Sequence, residues 1–353
     1  MLSIPKTDKA RASQMVKWYA MRMGFDLVGI TSADPFEAEE KIAMDRLNEG
    51  LMDGLPWFHE GRIRRGTRPQ EMLPGARSII SLAMSYLSED IPDKPKSPAG
   101  RVAKYAMGKD YHGVMEKRLK TFVKGLSEHI GSDIKAKVYV DTGPMLDRAV
   151  AERSGIGWFG KNTNILTSSH GSWIFLAQIL TNIKLEPDTL LKKTCGSCKI
   201  CIDDCPTNAI VAPYVIDNTK CISFLTIELK GVIPIKLRPL IGTWIFGCDI
   251  CQDVCPWNRK SSRTHEPGFL PQNGTYPFDL EQVLSLTEET FRKQFNKSTL
   301  KRPKRAGLLR NAAIALGNHG DPRSVPCLSR AMEDGEPMIR GAAAWALGKN
   351  GTQ

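Results

Sequence analysis

Eight of the nine cysteines in this chain lie between positions 195 and 255, and their spacing constrains the fold more than any other feature. The first run has the spacing Cys195-x2-Cys198-x2-Cys201-x3-Cys205-Pro206. The second run is Cys248-x2-Cys251-x3-Cys255-Pro256, and Cys221 stands alone between the two runs. The first run has the bacterial ferredoxin spacing, in which three cysteines hold one [4Fe–4S] cluster and the fourth reaches another cluster.

The second run is the same motif without its first cysteine, and Cys221 is the obvious replacement. The ferredoxin pattern then divides the cysteines into two sets of four, which predict two [4Fe–4S] clusters and a protein that transfers electrons. Because Cys255 and Cys205 each complete the set of the other run, the two runs must fold against each other. The first thiol set is Cys195, Cys198, Cys201 and Cys255, and the second thiol set is Cys205, Cys221, Cys248 and Cys251.

Other uses of cysteine fit this pattern poorly. Zinc ribbons also contain CxxC pairs, but zinc sites do not call for x2-x2-x3 runs that are each closed by Cys-Pro. Disulfides are not expected, because the N-terminus lacks the apolar core of a signal peptide and reducing compartments keep thiols free. No stretch approaches the length of a membrane span. We therefore expect a cytoplasmic protein in which the ninth cysteine, Cys327, is a packing residue on a helix.

A chain of 353 residues can hold two or three domains. Short apolar runs between helical stretches predict an α/β region over residues 1–185. The cysteine region follows over residues 186–260, and residues 261–353 hold a polar linker, over roughly 261–276, and a helical tail. The predicted strands are Phe25–Thr31, Ser78–Met84, Ala136–Val140 and Trp173–Leu180, and the predicted helices include Lys9–Met23, Gly113–Ile130 and Met145–Arg153.

The tail repeats itself. The hexapeptide that begins at Ala312 recurs in closely similar form from Ala343, an offset of 31 residues. Between them, Asp321-Pro322-Arg323 predicts the start of a helix that runs to Met332. Such spacing is typical of HEAT-like helical repeats, which need neighbours to bury their apolar faces. We expect the array either to dock onto the cluster region or to continue beyond Gln353.

The net charge is +11, and the placement of the charge matters more than its size. From Phe291 to Arg310 the chain has eight basic residues and no acidic one. A charge run is most often a solvated face, but a run of one sign in a basic protein favours a polyanionic partner, since Lys and Arg contacts to phosphate drive nucleic-acid affinity.

Two further motifs are incomplete. The run from Gly155 to Gly160 matches G-x-G-x-x-G, but it follows a predicted helix rather than a strand and lacks the acidic residue expected about twenty positions later. A dinucleotide site is therefore not expected. Asp110-Tyr111-His112 begins the D-x-H-x-x-G motif of corrinoid proteins, but Met115 occupies the glycine position. His112 is accordingly interpreted as a structural histidine rather than a metal ligand.

Asp141 ends a predicted strand and opens the loop Asp141-Thr142-Gly143-Pro144. Catalytic groups in α/β folds often follow strand ends, where loops form a cleft. An aspartate here can equally form a turn or cap the next helix, and on the residues alone that interpretation is favoured. As an acid at neutral pH, Asp141 would need a pKa raised by burial.

Taken together, these segments resemble the epoxyqueuosine reductases of tRNA modification. The match covers almost the whole chain, and its most specific parts are the block Ala149–Asn162 and the split ferredoxin motif. The segments that carry the resemblance are Arg68-Pro69, Leu73–Ser78, Tyr105–His112, Val140–Gly143, Ala149–Asn162, Thr181–Ile183 and both cysteine runs with Cys221.

The resemblance implies a fold of class α+β or α/β in three parts. These are a nitroreductase- or flavin-reductase-like domain that binds cobalamin, a double-cluster ferredoxin-like domain and a C-terminal HEAT-like array. It implies reduction of epoxyqueuosine to queuosine at the wobble position of tRNAs with GUN anticodons. The cofactors are cobalamin without a protein ligand to cobalt and two [4Fe–4S] clusters, served by an external low-potential electron donor. A monomer is expected.

The resemblance also assigns residues. It makes Asp141 the general acid, which reverses the preference for a structural Asp141, and it places the HEAT-like tail and the basic run on the anticodon arm. A cobalamin-dependent reductase of a small molecule, similar to reductive dehalogenases, and a non-enzymatic electron carrier are the alternatives. The residues expected near cobalamin are Arg68, Tyr105, Asp141, Ser154, Gly155, Trp158, Gly160, Lys161, Asn162 and Ser223. Those expected on tRNA are Lys297, Lys301, Arg302, Lys304, Arg305 and Arg310, with Trp57 and Phe58 as possible stacking residues.

Overall fold

The structure is a computed structural model that describes residues 9–88, 98–130, 134–272 and 277–350. Short 3-10 and π turns connect many of its elements. In the described ranges the helices are α1 Lys9–Arg22, α2 Glu37–Asn48, α3 Glu60–Gly66, α4 Pro69–Met72, α5 Tyr111–Ile130, α6 Asp147–Arg153, α7 Ile200–Asp203, α8 Ile250–Asp253, α9 Leu280–Leu284, α10 Glu288–Phe295, α11 Lys304–His319, α12 Val325–Ala331 and α13 Pro337–Asn350. The strands are β1 Leu27–Ser32, β2 Ser78–Ser85, β3 Ala99–Val102, β4 Ala136–Tyr139, β5 Trp158–Phe159, β6 Ile165–Leu166, β7 Ile174–Thr181, β8 Ile210–Ala212, β9 Val215–Ile216, β10 Trp244–Phe246 and β11 Phe278–Asp279.

A four-stranded sheet in the order β1-β2-β7-β4 organises the N-terminal region. All three pairings are antiparallel, so the α+β alternative describes this part of the chain. The four predicted strands match the observed ones to within a few residues at each end. Every residue of β2 is buried, because helices cover both faces of the sheet. That double burial produces the continuous apolar runs that are more typical of parallel strands.

The two faces of the sheet pack against different helices. On one face, α1 and α5 contribute Val16 and Phe122 to a core that also contains Leu82 of β2. On the other face, α6 packs Val150 against Ile79. Helix α6 follows the loop that carries Asp141, so its packing fixes one end of that loop.

The cysteine region and the C-terminal helices share one core. Buried residues from both parts, such as Ile222, Phe246, Leu309 and Ala343, belong to the same apolar cluster. Strand β3 pairs with both β10 and β11, and so ties the N-terminal region to the two parts that follow. The HEAT-like array therefore docks onto the cluster region, which is one of the two outcomes expected for it.

The repeat appears as two helices of similar sequence, α11 and α13, that pack together. Gly317 of α11 lies against Ala346 of α13, where a Cβ at position 317 would approach the Ala346 Cα to 2.8 Å. The helix expected from Asp321 to Met332 is instead a 3-10 turn, Pro322–Ser324, followed by α12. The predicted linker is irregular and contains the turn Pro267–Phe269, and its last residues, 273–276, lie outside the described ranges.

Candidate active site and iron–sulfur centres

The members of the first thiol set surround a cavity of about 110 Å³. Burial, followed by the charges of the other three thiols of the set, raises the pKa of Cys201 to about 11. Four cysteines around a closed space form the donor set of a [4Fe–4S] cluster. Lys161, Asn162 and Trp257 complete the wall of this cavity.

The members of the second thiol set also lie together. Burial raises the pKa of Cys248 to about 12, with Cys221 and Cys205 among its charged neighbours. Burial likewise raises the pKa of Cys251, and Cys221 and Cys248 are the nearest further causes. Buried thiols with raised pKa values hold thiolate charge only when a cation compensates it, and iron supplies that charge.

Backbone amides contact the sulfurs of both sets. The amide of Ala209 donates to Cys205 Sγ at 3.3 Å. Hydrogen bonds of this kind tune cluster potentials. In the described part of the chain, no group of three or more His, Cys, Asp or Glu converges closely enough to hold a single metal ion.

Asp141 extends from the end of the sheet towards α5. It follows β4 and the buried Val140, and its backbone has a φ of 46°, which is unusual for a residue other than glycine. The hydroxyl of Tyr111 donates to Asp141 Oδ2, and His112 Nε2 lies 2.9 Å from Oδ1. The Tyr111 ring stacks on Phe175 of β7 at 4.1 Å between centroids, which holds the hydroxyl in place. The Asp141 side chain nevertheless keeps 43% of its surface exposed.

His112 lies between two carboxylates. Its Nδ1 is 2.7 Å from Asp110 Oδ1, so both ring nitrogens are occupied. Burial opposes the positive charge, but the hydrogen bonds to Asp110 and Asp141 outweigh it and raise the pKa of His112 to about 9. The hydrogen bond from His112, followed by that from Lys301, holds the pKa of Asp110 well below its usual range. His112 is therefore an imidazolium at neutral pH.

Charged side chains surround Asp141, and we call the space between them the cleft. Asp147 and Arg148 begin α6, and Arg148 Nη1 donates to the Thr163 carbonyl at 2.9 Å. Burial, followed by the charge of Asp141, raises the pKa of Asp147 to about 8, so this carboxyl is largely protonated at neutral pH. Arg62 of α3 donates to the carbonyl of Gly143 and holds the Asp141 loop from the opposite side.

The cleft reaches the second thiol set. The charges that act on Arg148 come from Asp147 and Asp141 and from the thiols of Cys221 and Cys251. On the other side, a Cβ at Gly247, next to Cys248, would lie 3.5 Å from the ring of Tyr105. The Tyr105 ring in turn contacts Tyr111, at 6.3 Å between centroids. Charged and aromatic side chains thus connect the second thiol set to Asp141.

Comparison with known proteins identifies the family. Three family models match: "Epoxyqueuosine reductase QueG, DUF1730" over residues 66–142, "4Fe-4S double cluster binding domain" over 194–258, and "HEAT repeats" over 300–353. The epoxyqueuosine reductase of Escherichia coli K12 is 38% identical over 345 residues, which is 96% of this chain and 90% of that protein. The relative from Cellulophaga algicola is 40% identical over 86% of this chain and 97% of its own length.

The chain belongs to the epoxyqueuosine reductase family. It is an oxidoreductase with a two-cluster [4Fe–4S] domain and HEAT repeats, as the sequence predicted. A crystal structure of an epoxyqueuosine reductase with an epoxyqueuosine-modified tRNA-Tyr stem loop superposes with a TM-score of 0.90 and 36% identity, and covers 97% of this chain and 90% of that one. A Bacillus subtilis epoxyqueuosine reductase, whose catalytic Asp loop is swung out of the active site, also has a TM-score of 0.90, with 34% identity over 96% of this chain and 90% of that one.

In this epoxyqueuosine reductase, part of the block Ala149–Asn162 contacts the cysteine loops, and its predicted role at the cofactor stays a prediction. Trp158 is 1% exposed and packs with Leu166 and Cys255 of the first thiol set. Lys161 Nζ donates to the carbonyls of Gly196 and Cys198 at 2.7 and 2.8 Å, and Asn162 Nδ2 donates to the Cys251 carbonyl at 3.1 Å. Side chains that are satisfied in this way hold the cluster loops in place.

Other residues of this group also have partners within the protein. Ser154 is 1% exposed and donates to the Ala151 carbonyl. Arg68 pairs with Glu40 at 3.0 Å and with Glu71, because both acids lie on neighbouring helices.

The remaining residues predicted near cobalamin are Gly155, Gly160 and Ser223. A Cβ at Gly155 would lie 2.5 Å from the Thr189 carbonyl oxygen, and one at Gly160 would lie 2.7 Å from Asn162 Oδ1. Both glycines therefore allow neighbouring parts of the chain to pack closely. Ser223 hydrogen-bonds to Cys221, a member of the second thiol set. Of the predicted cofactor residues, Asp141 and Tyr105 lie at the cleft.

The predicted tRNA-binding residues separate into three kinds. Arg310 is 1% exposed and donates to the carbonyls of Leu225, Leu229 and Gly231, and therefore cannot contact RNA. Arg305 is mostly buried in a bidentate pair with Asp334. The prediction for Arg310 is wrong, because α11 turns this side chain into the core. The prediction for Arg305 stays a prediction.

The remaining basic residues of the run are exposed. Lys301 pairs with Asp110 at 3.0 Å and Arg302 pairs with Glu228 at 2.6 Å, so both lie close to the His112 network or the second thiol set. Lys297 and Lys304 project to the surface. Trp57 and Phe58 contact each other edge to face, and Arg62 lies over the Trp57 ring.

The sequence interpretation did not identify four residues of the site: Arg62, Tyr111, His112 and Arg148. Tyr111 and His112 were visible in the Asp110-Tyr111-His112 motif but were judged against the corrinoid pattern. Their role depends on the partner, Asp141, which is distant in the chain. Arg62 and Arg148 carry no local signal, because only the folded loop brings them together.

Proposed function

We propose that this protein reduces the epoxide of epoxyqueuosine in tRNA to the alkene of queuosine, with Asp141 as the proton donor. The observation that carries the proposal is the Asp141 carboxylate, held by Tyr111 and His112 at a cleft that reaches the second thiol set. Epoxide, two electrons and two protons give alkene and water. Clusters held by the two thiol sets deliver the electrons, and Asp141 with its hydrogen-bond partners delivers the protons.

The substrate is the wobble nucleotide of tRNAs with GUN anticodons. Support comes from a family member that was solved with an epoxyqueuosine-modified tRNA-Tyr stem loop. Lys301 joins the exposed basic run to Asp110 and thereby brings a phosphate-binding segment to the mouth of the cleft. A polyanion held there presents its unpaired loop bases to Asp141. The reaction takes place in the cytoplasm, where tRNA and low-potential donors are present.

We propose that cobalamin binds at the cleft. Both nitrogens of His112 are occupied by carboxylates, so this histidine is not free to ligate cobalt, and we propose that cobalamin binds without a protein ligand to cobalt. Tyr105, Arg62 and Arg148 are the side chains that would hold the cofactor. When bound, cobalamin supplies a low-potential centre for the electrons. The protein itself orients the groups and excludes water.

Asp141 receives its proton from His112 in this proposal. The imidazolium Nε2–H points at Asp141 Oδ1, and its raised pKa keeps the proton available through the neutral range. Tyr111 donates to the other oxygen and fixes the rotamer of the carboxyl group. The second proton follows the same route, after His112 has regained a proton from solvent. General acid catalysis of this kind contributes about 100- to 10,000-fold.

The variant Asp141→Asn tests the proton donor. The amide keeps the shape of the side chain but cannot deliver a proton, so we expect single turnover of an epoxyqueuosine stem loop to fall at least about 100-fold. Nucleoside analysis of the digested stem loop by mass spectrometry measures the product. Cluster absorbance and cobalamin binding should match those of the parent protein.

The matched control is Asp253→Asn, at an exposed carboxylate that pairs with Lys104 outside the cleft. It should turn over at close to the parent rate. Turnover of Asp141→Asn at the parent rate would remove Asp141 from the mechanism. A parent protein whose clusters can be reduced but which never converts the stem loop would instead be an electron carrier.

A further inference from the structure

The first thiol set lies beneath a surface that combines exposed apolar side chains with a surplus of cations. Ile200, between two of its cysteines, is 38% exposed, and Trp257, which lines its cavity, is 39% exposed. By contrast, residues next to the second set, such as Ile222 and Asp249, are buried. The first set is therefore the one that an external protein can approach.

Lysines surround these apolar side chains. Lys193 Nζ lies 5.3 Å from the Trp158 ring and 5.4 Å from the Trp257 ring, so its charge is held over the cavity. Lys199 is 71% exposed and loosely paired with Asp203. We call this surface the donor face. Its apolar residues are Ile200 and Trp257, and its cations are Lys161, Lys192, Lys193, Lys199, Arg259 and Lys260.

Acidic residues are fewer on the same surface. Asp203 and Asp204 follow the first cysteine run, and half-buried Glu152 accepts from the Phe159 amide. Six cations against three acids give the donor face a net positive charge. A patch of one sign steers an oppositely charged partner and speeds its association by about 10- to 1,000-fold.

We infer that the donor face is the docking site of an acidic one-electron carrier protein, which reduces the cluster of the first thiol set. The inference rests on the proposed function for its use of the clusters. A small apolar centre with aromatic residues inside a charged rim suits a weak electron-transfer complex, which buries less surface than a stable one. The basic run near Asp110 gives tRNA a separate surface. That surface lies at the Asp141 end of the electron path, and the donor face lies at the end of the first thiol set.

The electron balance is simple. A reduced flavodoxin-type carrier loses one electron, and the cluster held by the first thiol set accepts it. The second thiol set follows in the path, because Asn162, which lines the cavity of the first set, donates to the Cys251 carbonyl at 3.1 Å. Two such transfers supply the two electrons that one epoxide needs. No proton or bond changes at the donor face itself.

The variant Lys199→Glu tests the inference on the holoenzyme. Reduced flavodoxin is mixed anaerobically with the oxidised enzyme, and bleaching of the cluster absorbance is followed by stopped flow. We expect the second-order rate constant to fall about 10-fold at low salt, and the difference to shrink as salt screens the charges. Titration calorimetry with oxidised flavodoxin should show weaker binding by the variant.

Lys120→Glu is the matched control. Lys120 is 72% exposed and pairs with Glu116 one helical turn away, as Lys199 does with Asp203, but it lies on α5. It should react at the parent rate. Lys260→Glu is a second variant at the donor face and should behave like Lys199→Glu. Dithionite, a small reductant, should bleach all four proteins equally.

Three outcomes would overturn the inference. Equal rates for Lys199→Glu and Lys120→Glu would show that charge at the donor face does not steer a carrier. If dithionite bleached the clusters of Lys199→Glu as poorly as flavodoxin does, the substitution would have damaged the cluster itself. Loss of stem-loop binding without slower reduction would assign the surface to RNA. If flavodoxin reduces the parent clusters but the stem loop stays unconverted, the proposed function fails and the docking site stands.

Discussion

At the scale of single residues, the site depends on how charge is shared around His112. Asp110 and the Tyr111 hydroxyl both contact the His112–Asp141 pair, and Lys301 pairs with Asp110 at the far end. The imidazolium is stabilised because its two hydrogen bonds exceed the cost of partial burial. An aspartate beside a charged histidine can deliver a proton and regain it without waiting for bulk water.

This arrangement predicts the pH dependence of the proton step. The pKa of His112 is raised above its ordinary value to about 9, so the proton is bound at neutral pH and lost as pH rises through about 9. We expect single-turnover rates with dithionite to be level from about pH 7 to 8 and to fall above about pH 9. In His112→Gln the rate should be lower throughout and this alkaline fall should vanish.

His129→Gln, on the same helix α5, is the control for His112→Gln, since His129 bonds only to the Gly125 carbonyl. Its profile should keep the parent shape. A parent profile that stays level to pH 10, or an alkaline fall that persists in His112→Gln, would show that another group supplies the proton.

At the scale of elements, the strands of the sheet were predictable because their burial shows as apolar runs. Their antiparallel pairing was not, since β2 and β7 are buried on both faces and carry no alternation. The two thiol sets were predictable because cluster ligation imposes a strict spacing. The contacts of Trp158 and Lys161 were not, because they depend on where the first cysteine run folds back.

The two repeated helices offer a test of packing. Gly317 and Gly348 occupy the same position of the repeat, but among the residues that the structure describes a Cβ meets Ala346 at Gly317 and nothing within 4 Å at Gly348. We expect Gly317→Ala to lower the free energy of unfolding by about 1–3 kcal/mol through overpacking. Gly348→Ala should raise it by up to about 1 kcal/mol, because alanine favours the helix. Thermal denaturation of the holoprotein compares them, and equal shifts in both variants would contradict the packing of α11 on α13.

At the scale of the whole molecule, the three parts of the chain act as one body. Strand β3 joins β10 and β11, and one core runs from Ile222 to Ala343. Such continuity fixes the second thiol set relative to Asp141, which electron transfer to a bound substrate requires. Within the described residues, no helix is long and apolar enough to cross a membrane. The same continuity explains why part of the basic run, including Arg310, serves the core instead of RNA.

The exposed part of the basic run should therefore carry the RNA affinity. We expect the double variant Lys297→Ala/Lys304→Ala to bind an epoxyqueuosine stem loop more weakly, and the salt dependence of log K to lose about 0.7–0.9 per phosphate contact removed. Fluorescence anisotropy over a range of salt concentrations measures both quantities. Lys120→Ala/Lys124→Ala, two exposed lysines on α5, is the control and should bind like the parent. An unchanged salt slope in the first variant would show that the tRNA lies elsewhere, because each lost phosphate contact must release one counterion fewer.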